Sequence, residues 1–285
     1  MGADLVSRER APNRISPPCE ETAQIEIAGL VFRIVGLTGP AWIWLRERYR
    51  PFLTHKPAEV TVKVTGRQSW PKGRPPRPSL DWDADRFRFN LAACRGEGDL
   101  ASKHVRLSVP PAPSALGPSV FRILSTILLL QKGGFLLHAS GVVADSRAWV
   151  FCGPSESGKT TIARMADARP VLSDETVAIA KRARTYVAYS TPFFGEGGPT
   201  MGELNTHGRL RGLCFLHKSR QFSHRRLTAR EAVERAFPQV FLPKTEPAVV
   251  DVLLGCLADF AGRIPCYDLF FPPSPDLWGY LDGIE

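Results

Sequence analysis

No pair of cysteines in this 285-residue chain falls at C-x-x-C spacing. The six cysteines (Cys19, Cys94, Cys152, Cys214, Cys256 and Cys266) are scattered, which argues against both a zinc site and a disulfide framework. A reducing cytoplasm is therefore the expected compartment. Long apolar runs are also missing: the most apolar stretch, Ile123 to Leu130, is far too short to span a bilayer. Residues 1–20 are polar and charged and lack the apolar core of a secretory leader. Val6 stands where a myristoylation signal needs Ser or Thr. Membrane attachment is not expected. Dense Lys/Arg runs interleaved with aromatics are absent as well, so nucleic acid is not an expected partner. No internal repeat is visible.

What is present is an ordinary globular composition, 44% hydrophobic and 23% charged, with a net charge of +9. That balance favours acidic partners such as nucleotides or an acidic peptide, although an arginine-rich proteome gives the same figure. Residues 1–21 carry no periodicity and read as a flexible tail. Residues 22–112 alternate in β fashion. Ile25–Ile27 and Leu30–Val35 form a hairpin about Ala28-Gly29, and strands follow at Val60–Val64, Arg86–Asn90 and His104–Val109. Trp42–Tyr49 reads as a short helix. The stretch from Trp70 to Pro78 is too rich in proline for helix or central strand, and the prolines of residues 110–113 suggest a boundary. Residues 113–285 then read as a nucleotide-binding domain. It opens with a helix over Ser119–Gln131 that stops at Gly133-Gly134. Strands follow at Phe135–His138, Gly141–Ala144 and Arg211–His217. Helices are expected over Ala229–Ala236, capped by Thr228, and over Ala248–Phe260, with a last strand over Pro265–Phe270.

Residues 153–160 read Gly-Pro-Ser-Glu-Ser-Gly-Lys-Thr, a complete G-x-x-x-x-G-K-[ST] phosphate-binding loop. Ala148–Cys152 before it is strand-like, and Thr161–Ala166 after it is helical. That context turns a text match into a mechanism. Gly153 and Gly158 permit close backbone approach, and the N–H groups of Pro154-Ser155-Glu156-Ser157 and onward to Thr161 surround an anion, proline excepted. Lys159 reaches the outer phosphates, and the Thr160 hydroxyl ligates Mg²⁺.

Two features flank the loop. Val171-Leu172-Ser173-Asp174-Glu175 is an apolar lead into two acids, the first of them 14 residues after Thr160. Acids in that position hold Mg²⁺ or serve the attacking hydroxyl, and two together can divide the work. His138 lies in Leu136-Leu137-His138-Ala139-Ser140. A lone His at a strand end is commonly structural. A hairpin that starts there and returns into the loop would instead bring the imidazole near the phosphate, to orient a base or stabilise transferred charge.

His138, then Gly153 opening the loop 15 residues on, then Asp174-Glu175 resembles the HPr kinase/phosphorylase family. The text LLHAS…FCGPSESGKTT…VLSDETV is closer still to HPr-kinase-related proteins, including those that phosphorylate lasso-peptide precursors. The resemblance covers Val120 to Ile179, and more weakly Ser190–Gly195. It implies a mixed α/β fold like the nucleotide domain of phosphoenolpyruvate carboxykinase, preceded here by the smaller β-rich region. It also implies Mg²⁺-dependent transfer from ATP to a serine hydroxyl. Lys159 and Thr160 then serve phosphates and metal, Asp174 is the general base with His138 beside it, and Glu175 helps to bind metal. Two departures stand out. Glu175 replaces the family's second Asp, and the glycine-rich C-terminal signature of the reverse, phosphate-consuming reaction has no close copy. Neither phosphorylase activity nor HPr as substrate is implied.

The leading expectation is therefore a cytoplasmic serine-type kinase acting on a peptide or small protein, for instance a modified-peptide precursor, possible as a homo-oligomer. A regulatory nucleotide-binding module would keep the loop without needing Asp174 or His138. A small-molecule kinase, or a carboxykinase-like enzyme with extra Mn²⁺ ligands and an arginine clamp, is the third reading. Arg209, Arg211, Arg225 and Arg226 receive no role, and His217 and His224 read as structural.

Overall fold

The computed structural model describes residues 21–66, 79–83, 85–91, 94–110, 112, 116–193, 205–242 and 246–284. The expected tail up to residue 20, the whole Trp70–Pro78 stretch, Pro111 and Pro113 of the proline cluster, and Phe194-Gly195 lie outside them, while Glu21, expected as the end of the tail, opens the first strand. The architecture is mixed α/β, with a β-rich region first and the glycine loop in the second of two mixed sheets.

The first sheet has seven strands: β1 (Glu21–Ile27), β2 (Leu30–Leu37), β3 (Val60–Gly66), β4 (Ser79–Asp83), β5 (Arg86–Leu91), β6 (Cys94–Asp99) and β7 (His104–Val109), in spatial order β1-β2-β3-β7-β6-β5-β4. β1 and β2 form the expected hairpin, with Ile27 opposite Leu30. Helix α1 (Gly39–Arg48) carries the chain from β2 to β3, which is why those two strands run parallel. Strand β4 alternates, with Leu80 and Trp82 between Ser79, Asp81 and Asp83, whereas β6 carries no apolar alternation in the sequence. In β6 (Cys-Arg-Gly-Glu-Gly-Asp), Gly96 and Gly98 lie directly beneath the Phe89 and Phe87 rings of β5, where any Cβ would collide. Those two rings stack 6.3 Å apart. The apolar cover of β6 thus comes from its neighbour.

Helix α2 (Pro118–Gln131) starts with Pro at its first turn and ends at Gly133, with Gly134 N–H donating to Leu129 O at 2.7 Å. Phe121, Leu124, Ile127 and Leu128 of α2 share one core with Phe32, Val62 and Leu107 of the first sheet. Leu136 and Ala178 of the second sheet belong to that core too. This helix is therefore packed against both sheets.

The second sheet contains β8 (Phe135–Ala144), β9 (Arg147–Cys152), β10 (Val171–Ser173), β11 (Thr176–Arg182), β12 (Thr185–Tyr189), β13 (His207–Lys218), β14 (Ser223–Arg226) and β15 (Cys266–Phe271). Phe135–His138 and Gly141–Ala144 are one continuous strand, β8, and the hairpin turns at Asp145-Ser146. Pairings β8–β9, β9–β13, β13–β12, β12–β11 and β11–β8 form a closed circuit, with β9 and β13 parallel. Helix α3 (Lys159–Arg164) follows the loop, two residues earlier than its apolar pattern suggests, because Lys159 and Thr160 already lie in the first turn. Helices α4 (Ala229–Ala236) and α5 (Pro247–Ala261) pack on the core of Leu137, Val150 and Leu213. α6 (Leu277–Asp282) packs with α3 on Trp149 and Phe151.

Candidate functional site

Side chains alternate along β8, and that period places the site. Leu136, His138, Ser140 and Val142 share one face. Leu136 belongs to the core under α2, and Val142 to the core under α3. His138 and Ser140 therefore occupy the gap between those two packed regions. His138 is exposed, whereas Ser140 is fully buried and its Oγ has no hydrogen-bond partner among the described residues.

The glycine loop leaves β9 at Cys152, opposite Ala139. Its curl is tight: Ser157 N–H donates to Pro154 O at 3.2 Å, and a Cβ on Gly153 would press on the Ser157 side chain, its Cβ 2.8 Å away. Gly158 holds φ at +111°, a conformation closed to side chains, and a Cβ there would lie 2.8 Å from the Phe271 ring. The Ser157 Oγ is buried with no partner among the described residues. Lys159 is buried too, and its Nζ donates to Gly153 O at 2.6 Å and Pro154 O at 3.0 Å. Burial holds its ammonium below the usual lysine range. Pro154, Ser155, Glu156 and Thr161 are exposed, and Thr160 is half-buried.

The acid turn reaches the same place by strand pairing. β10 and β11 run along one edge of β8, interrupted at Asp174-Glu175. Ser173 Oγ accepts from Glu175 N–H at 3.0 Å and Thr176 N–H at 2.9 Å, which turns the chain. Ala139 N–H then donates to Glu175 O at 3.1 Å, and Thr176 stands opposite His138. Asp174 and Glu175 are both half-buried. His138 is exposed at its outer edge, but desolvation by the protein packed around the rest of the ring, and next the Lys159 charge, hold the imidazole below its ordinary pKa, while Glu175 pulls it upward and Arg122 adds a smaller downward push. Loop, histidine and acid turn, distant in sequence, thus fall within electrostatic reach of one another.

Sequence reasoning missed Arg122. It is the sole charged residue of α2, and its guanidinium lies 5.4 Å from the Phe193 ring centre and 5.3 Å from that of Phe241. No motif marks a single arginine in an apolar helix, and both rings come from distant segments. Phe193 belongs to the Thr-Pro-aromatic turn, where Thr191 Oγ1 donates to Thr176 O at 2.7 Å.

Several other basic residues have protein partners. Arg209 donates to Thr185 Oγ1 and Arg211 to the carbonyls of Asp282 and Ile284. Arg225, Arg235 and His217 surround the buried Asp268, tying β14 and α4 to β15, while His224 meets the Tyr280 hydroxyl at 2.7 Å. Among the described residues no three His, Cys, Asp or Glu converge as a metal-binding group, and no helix is long and apolar enough to cross a membrane.

No protein-family model matches the chain, and no curated protein matches it. Among solved structures, the HPr(Ser) kinase/phosphatase from Coxiella burnetii is similar over 52% of this chain and 93% of that chain, with a TM-score of 0.30 and 10% sequence identity. Chains that overlay this loosely need not share a reaction.

Proposed function

We propose that the chain is a phosphotransferase that moves the terminal phosphate of ATP, with Mg²⁺, to a serine-type hydroxyl of a peptide or small protein. The observation that carries this reading is the Ala139–Glu175 backbone bond. It sets the acid turn against β8, the strand paired with the one that feeds the glycine loop, with His138 and Lys159 in reach.

The loop residues fit a polyphosphate. Gly153 and Gly158 form a cradle that a Cβ would close, and the Ser157 Oγ is an orphaned polar atom. Lys159 now rests on two carbonyls, and a phosphate is a stronger, charged acceptor for the same ammonium. Thr160 and Glu175 are the residues to hold Mg²⁺, an ion that takes few protein ligands and completes its shell with phosphate and water. When bound, the metal neutralises charge on the phosphates. Asp174 accepts the hydroxyl proton. The acceptor oxygen then bonds to phosphorus as the bond to the bridging oxygen breaks, its electron pair leaving with the diphosphate. His138, kept neutral, orients Asp174 or the incoming hydroxyl. A polypeptide acceptor accords with the exposure of His138 and with the positive net charge.

The test is ATP turnover by the full chain, with candidate peptide acceptors and without them, compared between wild type and Asp174→Asn. The expected result is phosphate on a hydroxyl for wild type and a loss of about a hundredfold or more for the variant, with nucleotide affinity retained. A variant that binds ATP and matches wild type on every acceptor refutes the kinase and leaves a regulatory nucleotide-binding module.

A further inference from the structure

We propose that Arg122 is a phosphate-contacting residue, whose guanidinium meets oxygens of the phosphoryl group transferred at the glycine loop. This rests on the reading of the site given above.

Arg122 is half-buried on a helix with ten buried residues, where a charge is costly unless something holds it. The Phe193 and Phe241 rings hold the guanidinium by cation–π attraction, which fixes its position but satisfies none of its N–H donors. Arg122 Nε is buried and has no hydrogen-bond partner among the described residues. Surface arginines of this chain behave differently: Arg225, Arg230 and Arg263 each meet a carboxylate at 2.7–2.9 Å. Arg122 is thus positioned by the fold and left with unspent donors.

Its location says what those donors are for. Both of its ring partners are tied to the strands of the site: Thr191, in the turn that carries Phe193, donates to Thr176 O opposite His138, and Phe241 N–H donates to Leu136 O, two residues before His138. In keeping with that placement, Arg122 and Lys159 are the two cations that act on the His138 imidazole, one from α2 and the other from the glycine loop. Glu175, whose charge acts on both Arg122 and His138, is the acid assigned above to Mg²⁺. A planar fork of donors beside that group suits the oxygens of phosphate, and its rings keep the fork in one orientation. Arg122 forms no covalent bond and gives up no proton. It supplies positive charge where the moving group gathers negative charge.

ATP and ADP affinities of the full chain, measured by calorimetry for wild type, Arg122→Gln and Arg122→Lys, test this. Wild type should prefer ATP, and Arg122→Gln should lose that preference by roughly ten- to a hundredfold through weaker ATP binding, with ADP affinity unchanged. Arg122→Lys should recover part of it, since charge returns without the fork. Thermal melting of each variant reports folding. In wild type, the Arg122 Nε–H resonance should shift with a non-hydrolysable ATP analogue and not with ADP, a readout that needs no variant. Wild type that binds neither nucleotide refutes the site itself. Wild type that prefers ATP, with the preference intact in both variants or the resonance unmoved, overturns Arg122 alone.

Discussion

At the scale of single residues, the chemistry lies in how four charged or titratable groups disturb one another. His138 is held below its usual pKa first by burial and next by Lys159, with Glu175 opposing. Removing the ammonium therefore has a definite sign. Lys159→Met should raise the His138 midpoint, read by NMR titration of its ring protons, whereas a distant substitution such as Lys56→Met should leave it unmoved. An unchanged midpoint in Lys159→Met would show that loop and histidine are not neighbours. The sequence marks three of these groups: Lys159 and Glu175 by motif and spacing, and His138 by its place before the loop. Arg122 escapes because its meaning comes from Phe193 and Phe241, which only folding brings to it.

Elements were legible where local chemistry decides them. Helix α4 begins at Thr228, whose Oγ1 accepts from Glu231 N–H at 3.3 Å while Glu231 takes Thr228 N–H at 2.8 Å. That reciprocal box is written in Thr-x-x-Glu. Thr228→Ala should cost about 1 kcal/mol, a melting temperature lower by about 2 °C, and Thr228→Ser should restore it. Strand β8 was harder. Ala139-Ser140 reads as a break between two strands, yet the strand runs on, and Gly141 gives room there to Leu172 and Val177, which pack at 3.0–3.1 Å from where a Cβ would stand. Strand β6 was illegible for a related reason. Gly96 and Gly98 contribute no apolar side chains, and Phe89 and Phe87 cover them from β5.

At the scale of the molecule, α2 joins the two sheets. Phe121 is fully buried and meets Phe32 edge-on at 5.7 Å and Tyr49 at 4.9 Å, all in the core that also contains Leu136 of β8. Arg48 Nη2 donates to Pro192 O at 3.1 Å, which ties α1 to the turn that carries Phe193. Phe121→Ala should lower unfolding free energy by about 3–5 kcal/mol. Tryptophan fluorescence and far-ultraviolet circular dichroism should shift together in denaturant. Separate transitions for the two probes would mean that the shared core does not couple the sheets.

The glycine loop, the acid pair, the capped helix and the alternating strands are written in the chain, because each rests on contacts within a few residues. Folding alone sets the acid turn along β8, puts Arg122 of α2 against Phe193 and Phe241, and makes β6 a strand at all. Those depend on pairing and burial between segments far apart, and neither periodicity nor motif encodes a partner's position.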